Sequence, residues 1–384
     1  MPFLVRLMTM KCELRKLRVL GCERCWLVQT QDLADPRELF GANYAYFSGY
    51  SNSWLEHARR YVEDMAERFG LDANSHVVEV AANDGYLLQY VRARGIPCTG
   101  IEPTASTAAA ARAKGIPIIE DFFGERLGLE LAAKRRADLI VANNVLAHVP
   151  AINDFVLGFA ALLQPDGVAT FEFAHVLRLI AENQFDTIYH EHFSYLSLTA
   201  VNRILPANGL TVFDVEELPT HGGSLRVFAQ HTVTGHHPTD AKVGELLDRE
   251  ARAGMTTSAY YAGFQAGAER VKNDFLEFLL EARRQGKRVA AYGAAAKGNT
   301  LMNFAGVRPD LIGFVVDANP AKQGKLMPGS RVPIVAEEHL RQEKPDFVVI
   351  LPWNLREEVT RQIDYIADWG GRFVTAVPQL EVRP

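Results

Sequence analysis

The chain has 384 residues, 48% of them hydrophobic and 23% charged, enough for two or three domains with cores of their own. A formal net charge of −5 excludes non-specific nucleic-acid binding as the main task, since that needs a strongly basic face. No apolar run reaches the roughly 20 residues of a membrane helix, charges interrupt the N-terminal apolar residues too early for a secretory leader, and the cysteines are too few for a disulfide framework, so a cytoplasmic protein without a membrane partner is expected.

In chain order, residues 1 to about 40 read as a small, partly irregular module. Cys22 and Cys25 form a C-x-x-C knuckle able to give zinc two thiolates, with only Cys12 nearby as a third, while Cys98 reads as a small core residue. "GANYAYFSGYSNSWLEHARRYVEDMAERFG" passes from an aromatic loop into an amphipathic helix, opened by Ser51 and Ser53 and closed by Gly70. From residue 76 strands and helices alternate: "HVVEVAAND", "CTGIEP", "IPIIEDFF", "ADLIVANNVLAHV" and "GVATFEFAHV" are strands, with helices such as "STAAAARAKG" between them. Continuous apolar strand cores in that alternation predict a parallel, doubly wound sheet. After the long helix "GAERVKNDFLEFLLEARRQG", the strands "KRVAAYG", "LIGFVVDAN" and "PDFVVILPWN" predict a second Rossmann-like sheet.

Ligands of doubly wound sheets bind at the carboxyl ends of the strands. The first strand carries Glu79 and ends in the turn Ala82-Asn83-Asp84-Gly85, which lacks the G-x-G-x-x-G of a dinucleotide site. Amides and carboxylates with a single glycine suit a cation bearing an amino-acid tail better than a diphosphate. Glu102, ending the second strand, is placed to bind two ribose hydroxyls. Asp121, Phe122 and Phe123 can form an adenine shelf, and Asn143-Asn144 ends the fourth strand. This order of residues resembles the class I S-adenosylmethionine-dependent methyltransferases, whose cofactor would then touch Glu79, Asn83, Asp84, Gly85, Glu102, Asp121, Phe122, Phe123 and Asn144.

The second sheet offers the glycine turn "YGAAAKGNT", where Gly293 permits a tight bend and Lys297 adds a point charge for an anion. Asp317 closes the next strand, where a Rossmann domain reads a sugar hydroxyl. A nucleotide diphosphate is one reading and an ordinary turn with a solvated lysine the other. In "LPTHGGSLRVF", Gly222 and Gly223 bring backbone close to a ligand, with His221, Ser224 and Arg226 around it. The run "TIYHEHFSYLS" is open to three readings: a metal site, an acid–base centre or a polar strand. Its two histidines stand two apart, not at the i and i+4 positions of a helical zinc motif.

Taken together, "CERCWLVQ", "NYAYFSGYS", "VVEVAANDGYLL", "GIEPT", "NNVLAHVP", "FDTIYHEHFSYLS", "HGGSLRVF", "YGAAAKGNT" and "VVDANPAKQGKLMPG" resemble the sugar C-methyltransferase family, from residue 22 nearly to the C-terminus. The resemblance implies an α/β fold: a class I methyltransferase sheet, a second Rossmann-like domain and a small N-terminal module. It implies boundaries at 1–69 for the module, 70–215 for the methyltransferase domain and 216–384 for a domain helping to hold a nucleotide-sugar. Lys297, Asn299, Asp317, His221, Gly222 and Arg226 become the candidates for that substrate. The family's active-site cluster falls on Tyr189, Glu191 and His192, joined by His148 and by Tyr44, with Tyr46 as the near alternative to Tyr44. His192 would be the base, Glu191 would orient a partner, and Tyr189 with His148 or Tyr44 would donate hydrogen bonds to an enolate oxygen.

The implied reaction is methylation of carbon 3 of a nucleotide-linked 4-keto-deoxysugar by S-adenosylmethionine, with no catalytic metal. The family's first C-x-x-C pair has no counterpart here, which leaves either a truncated start or a lost zinc at Cys22 and Cys25. Two other functions stay open: an NAD(P)-dependent nucleotide-sugar oxidoreductase or epimerase, and a nucleotide-sugar-binding protein without catalysis.

Overall fold

The structure is a computed structural model that describes residues 17–31, 35–41 and 46–384. The chain forms two compact units, one of residues 19–270 and one containing residues 271–384. In the first, β1 (Val19–Gly21) and β2 (Val28–Thr30) make a hairpin at the N-terminal end. Then come β3 (Val77–Val80), β4 (Cys98–Ile101), β5 (Ile118–Ile119), β6 (Ala137–Asn143), β7 (Leu163–Ala174), β8 (Ser194–Tyr195), β9 (Leu210–Leu218) and β10 (Ser224–His231). Seven of these form one sheet in the order β5-β4-β3-β6-β7-β10-β9, with β10 antiparallel to both of its neighbours. A reversed strand inserted there separates this sheet from the 3-2-1-4-5-6 order of dinucleotide-binding folds.

Strand alternation divides the core between the two faces. Val77, Leu139 and Val141 pack on one side, and Val78, Val80, Ile140 and Ala142 on the other. The first face is covered by the helix Asn52–Arg68, whose Ala58, Tyr61, Val62 and Met65 follow helical spacing. Full burial of Val62 or Met65 stabilises by about 1.5–3 kcal/mol each. Ser51 caps this helix by accepting from the Trp54 amide at 3.3 Å, which fixes where Trp54 leaves the first turn.

The compact units divide the chain differently from the expected domains: the boundary at 215/216 falls inside β9, and the hairpin β9–β10 completes the seven-stranded sheet of the first unit. The N-terminal hairpin also does not stand apart, because β2 pairs with β8, Val28 opposite Tyr195. "TIYHEHFSYLS" is mostly irregular, with a turn at His190-Glu191, a strand at Ser194 and Tyr195, and Leu196 bridging to His175.

In the second unit, β11 (Val289–Tyr292), β12 (Val315–Val316), β13 (Ile334–Val335), β14 (Phe347–Ile350), β15 (Arg372–Thr375) and β16 (Glu381–Arg383) order as β13-β12-β11-β14-β15-β16. All pairings are parallel except β15 with β16, as expected for a Rossmann-like sheet. Among the described residues no helix is long and apolar enough to cross a membrane.

Candidate active site

The carboxyl ends of β3, β4, β5 and β6 open onto a cleft of about 500 Å³ in the first unit. The chain breaks away from β3 through two left-handed residues, Ala81 (φ 59°) and Asn83 (φ 49°), which aim the turn's backbone at the end of β4. There the buried Glu102 accepts from the Asn83 and Thr104 amides, both at 2.9 Å. An ionised carboxylate has about four acceptor sites, so two stay available on a residue that lines the cleft. Beyond it, Phe122 is exposed, Asp121 pairs with Arg126 at 2.7 Å, and the Phe123 ring packs edge-on against Phe155 and Phe159.

The acid residues Asp35, Glu102, Asp121 and Asp154 in the cleft wall outnumber Arg37, a charge balance that fits a sulfonium and an ammonium group. Asn143, at the end of β6, also faces the cleft and is 7% exposed, yet neither atom of its amide has a protein partner among the described residues. A buried amide without partners is costly unless a ligand supplies them. The residues present therefore fit S-adenosylmethionine.

Three of the expected cofactor residues do not line the cleft. Glu79 lies in the middle of the buried sheet, where burial first, and then Asp84 and Glu102, push its carboxyl well up, and neither of its oxygens has a hydrogen-bond partner among the described residues. Asp84 points to Lys114 (3.3 Å) and lies against Gly49. Gly85, at φ 75°, packs where a Cβ would meet Ile116 at 2.3 Å. Asn144, also left-handed at φ 55°, does line the cleft; its backbone N–H donates to the Glu172 carbonyl at 2.7 Å, and its side-chain Nδ2 has no protein partner among the described residues.

Across the cleft stands His148, in a short turn after β6. Burial pushes its imidazole down to about 4, against a hydrogen bond to the Glu191 backbone that favours the charged form. Its ring meets that of His192 edge-on at 4.7 Å. His192 itself does not line the cleft. Its Nδ1 lies 2.8 Å from the Thr187 carbonyl, which only accepts, so Nδ1 carries the proton. Nε2 is therefore the basic nitrogen of the neutral ring, and it accepts from the Tyr189 hydroxyl at 2.8 Å. The turn carrying these groups is pinned from both sides: Phe193 N donates to the Ala147 carbonyl, and Thr30 Oγ1 to the His192 carbonyl. Tyr44 lies outside the described residues; Tyr46, half exposed, lines the cleft.

His221 also lines the cleft, in a left-handed conformation at φ 56°. Gly222 contributes only its carbonyl, which accepts from Gln184 at 2.7 Å. Arg226 requires correction as a substrate residue. It is 4% exposed, pairs with Glu172 and Glu216 at 3.0 Å each, and lies over the Tyr61 ring. The partner Glu172 is held below the usual carboxylate range, because His57 and Arg226 outweigh the burial that raises it.

Lys297, Asn299 and Asp317 belong to the second unit. The Asp317 carboxylate accepts from the Ala294 and Asn319 amides, both at 2.8 Å, and from Lys322 at 3.2 Å. Lys297 reaches Asn354 at 3.0 Å and lies over the Trp353 ring. In the N-terminal hairpin, Cys22 N bonds to the Leu27 carbonyl and Trp26 N to the Cys22 carbonyl, forming the knuckle. Backbone amides of Cys25 and Arg24 lower the Cys22 thiol, whereas burial raises Cys25. Among the described residues no third ligand joins them, and Cys12 lies outside those residues.

Asn143, Trp54 and Glu172 are site residues that the sequence reading did not carry forward. For Glu172 a signal existed: a lone carboxylate inside the apolar strand "GVATFEFAHV" needs a buried partner.

Residues 54–215 match a methyltransferase domain family, and residues 219–378 match the C-methyltransferase C-terminal domain family. C-methyltransferase NovU of Streptomyces niveus is 35% identical over 367 residues, spanning 95% of this chain and 87% of that protein. Among solved structures, the 1,6-didemethyltoxoflavin-N1-methyltransferase of Burkholderia thailandensis is 19% identical with a TM-score of 0.39, covering 54% of this chain and 96% of its own. The magnesium protoporphyrin IX methyltransferase of Synechocystis is 16% identical with a TM-score of 0.38, covering 46% and 83%.

Proposed function

The chain belongs to the C-methyltransferase family, and from that premise we propose that it methylates carbon 3 of a nucleotide-linked 4-keto-deoxysugar in the cytoplasm. The observation that carries this reading is His148 in the cleft wall, with the Tyr189–His192 pair directly behind it. Carbon methylation needs a base for the proton beside the ketone and a donor for the enolate oxygen.

S-adenosylmethionine, when bound, supplies a methyl group electrophilic enough to need no metal. Glu102, Phe122 and Asn143 hold and orient it. His192, with its lone pair on Nε2, is the base, and Tyr189 is the hydroxyl already hydrogen-bonded to that lone pair. Tyr189 does not line the cleft of the free protein; with its hydroxyl turned into the cleft on acceptor binding, the substrate C–H proton passes to the Tyr189 oxygen as the Tyr189 proton passes to His192 Nε2. The C–H electron pair becomes the enolate, whose carbon would take the methyl group as the carbon–sulfur bond breaks and its electron pair stays on sulfur, leaving S-adenosylhomocysteine. His148 stays neutral at physiological pH, and its single N–H, held on the Glu191 carbonyl in the free protein, turns to the enolate oxygen when the acceptor binds. In the second unit, Lys297, Asn299 and the turn held by Asp317 are the candidates for a nucleotide diphosphate.

A labelled-methyl assay over a panel of nucleoside-diphosphate ketosugars tests the reading, paired with acceptor deuterium exchange in D₂O. The expected result is methyl incorporation into one ketosugar, plus exchange at the same carbon when S-adenosylhomocysteine replaces the methyl donor. Methyl incorporation at an oxygen or nitrogen, or none across the panel, would overturn it.

A further inference from the structure

Glu172 is a fully buried carboxylate on β7, and its three donors come from three different elements. His57 Nε2 lies at 2.9 Å, Arg226 Nη2 at 3.0 Å and Thr220 Oγ1 at 3.0 Å. Arg226 balances the charge, and the other two donors lead to the cleft wall. His57 sits one turn after Trp54 on the same helix, with the two rings stacked at 4.8 Å. Thr220 immediately precedes His221, whose left-handed backbone persists only if its surroundings determine it. The His221 ring meets Trp54 at 4.9 Å and 84°, so the two side chains form an aromatic corner, and both line the cleft.

The sheet order says which end of the cleft this corner serves. Glu102 ends β4 and Asp121 follows β5, both on one side of β3, whereas the Thr220–Gly222 turn leads into β10 on the other side. From β4 to β10 is four strand spacings, roughly 19 Å at about 4.8 Å each. A nucleoside held at Glu102 would therefore lie at the far end of the sheet from the His221 turn, and Trp54, whose ring also stacks on Tyr86 at 5.8 Å after β3, reaches from that turn back toward the middle of the cleft. The corner faces what lies beyond the methyl group. A deoxysugar ring offers an apolar C–H face that an aromatic wall can cover.

We propose that Glu172 is a positioning residue that sets the Trp54–His221 corner, and that this corner holds the sugar ring of the methyl acceptor. The identity of that ring rests on the function proposed above. Glu172 acts through Thr220 and His57 and does not itself touch the acceptor.

The test compares Thr220→Val, which removes the hydroxyl but keeps the shape, with Thr220→Ser, which keeps the hydroxyl, and with Glu172→Gln. The acceptor is the nucleoside-diphosphate ketosugar that the wild type methylates, and S-adenosylhomocysteine affinity is measured separately by calorimetry. Thr220→Val is expected to raise acceptor KM about tenfold, with kcat and S-adenosylhomocysteine Kd within about twofold. Thr220→Ser should return KM to near the wild-type value, and Glu172→Gln should raise it further. An unchanged acceptor KM in Thr220→Val, or an S-adenosylhomocysteine Kd rising in step with it, would overturn the proposal. If Glu172→Gln does not fold, the Thr220 pair decides alone. A wild type that methylates no ketosugar sinks the proposed function before any variant is made, so the two failures are distinct.

Discussion

The two Rossmann-like sheets solve one local problem in the same way and then part company. In each, an acid near the end of the second strand accepts from the amide of the turn that leaves the first: Glu102 from Asn83, and Asp317 from Ala294. The difference lies in what remains afterwards. Lys322 neutralises Asp317, whereas Glu102 faces a cleft of about 500 Å³ that also holds the unpartnered amide of Asn143. A strand-end acid is thus first a part of the fold. It becomes a ligand group only where charge is left over once its own backbone has been served.

That contrast can be broken most decisively at the chemistry. His192→Ala is expected to lower kcat by about 10²–10⁴-fold while leaving S-adenosylhomocysteine affinity nearly unchanged. Lys297→Ala in the second unit should leave kcat within a few-fold and act on acceptor KM. Steady-state kinetics on both variants checks this, and an equal loss of kcat would end the division of labour between the units.

The next effect is on stability. The imidazole of His148 sits at about 4 in the folded chain against an ordinary value of 6.5, so between those values the unfolded chain binds a proton that the folded chain refuses. Stability is full above pH 6.5 and falls as pH drops toward 4, by on the order of 3 kcal/mol. The lowered carboxylate Glu172 adds its loss only below its ordinary 4.5. Hydrogen exchange across that range should show amides of β3 and β6 losing protection before those of β11 and β14. His148→Asn should reduce the slope, leaving the part due to His76 and His237, which burial also lowers, and an unreduced slope would refute the assignment.

Smaller still is the effect on cofactor affinity. Glu102→Gln should weaken S-adenosylhomocysteine by about ten- to a hundredfold, the size of a lost charged hydrogen bond. Asp317→Asn should leave it unchanged. Calorimetry on the two variants would sharpen the comparison, and equal weakening would dissolve it.

Much of this architecture is legible in the residues, because apolar strand cores and helix caps are local signals. The end of β3 at the turn through Asn83, the acid at Glu102 and the helix opening at Ser51 all follow from a few neighbouring residues. What was hidden depends on partners distant in the chain. Arg226 reads as a substrate residue until Glu172 and Glu216 flank it, and Glu79 reads as a ligand until β4 and β6 bury it. The hairpin β9–β10 escaped because its alternation resembles that of any strand, and only its neighbour in space says which sheet it joins. Asn143 and Asn144 are chemically identical; the left-handed backbone at Asn144 alone decides how their side chains differ.

The N-terminal strand β2 is held against β8, and Thr30 bonds to the His192 carbonyl 162 positions further along the chain. On a ribosome adding about 5–20 residues per second, that span takes roughly 8–30 s to emerge. For that time the first hairpin waits without its strand partner, and when the turn bearing His192 arrives only the His221 corner of the cleft wall is still to come. Synthesis interrupted after β7 and before residue 187 leaves a nascent chain holding the strands of the nucleoside end and no base.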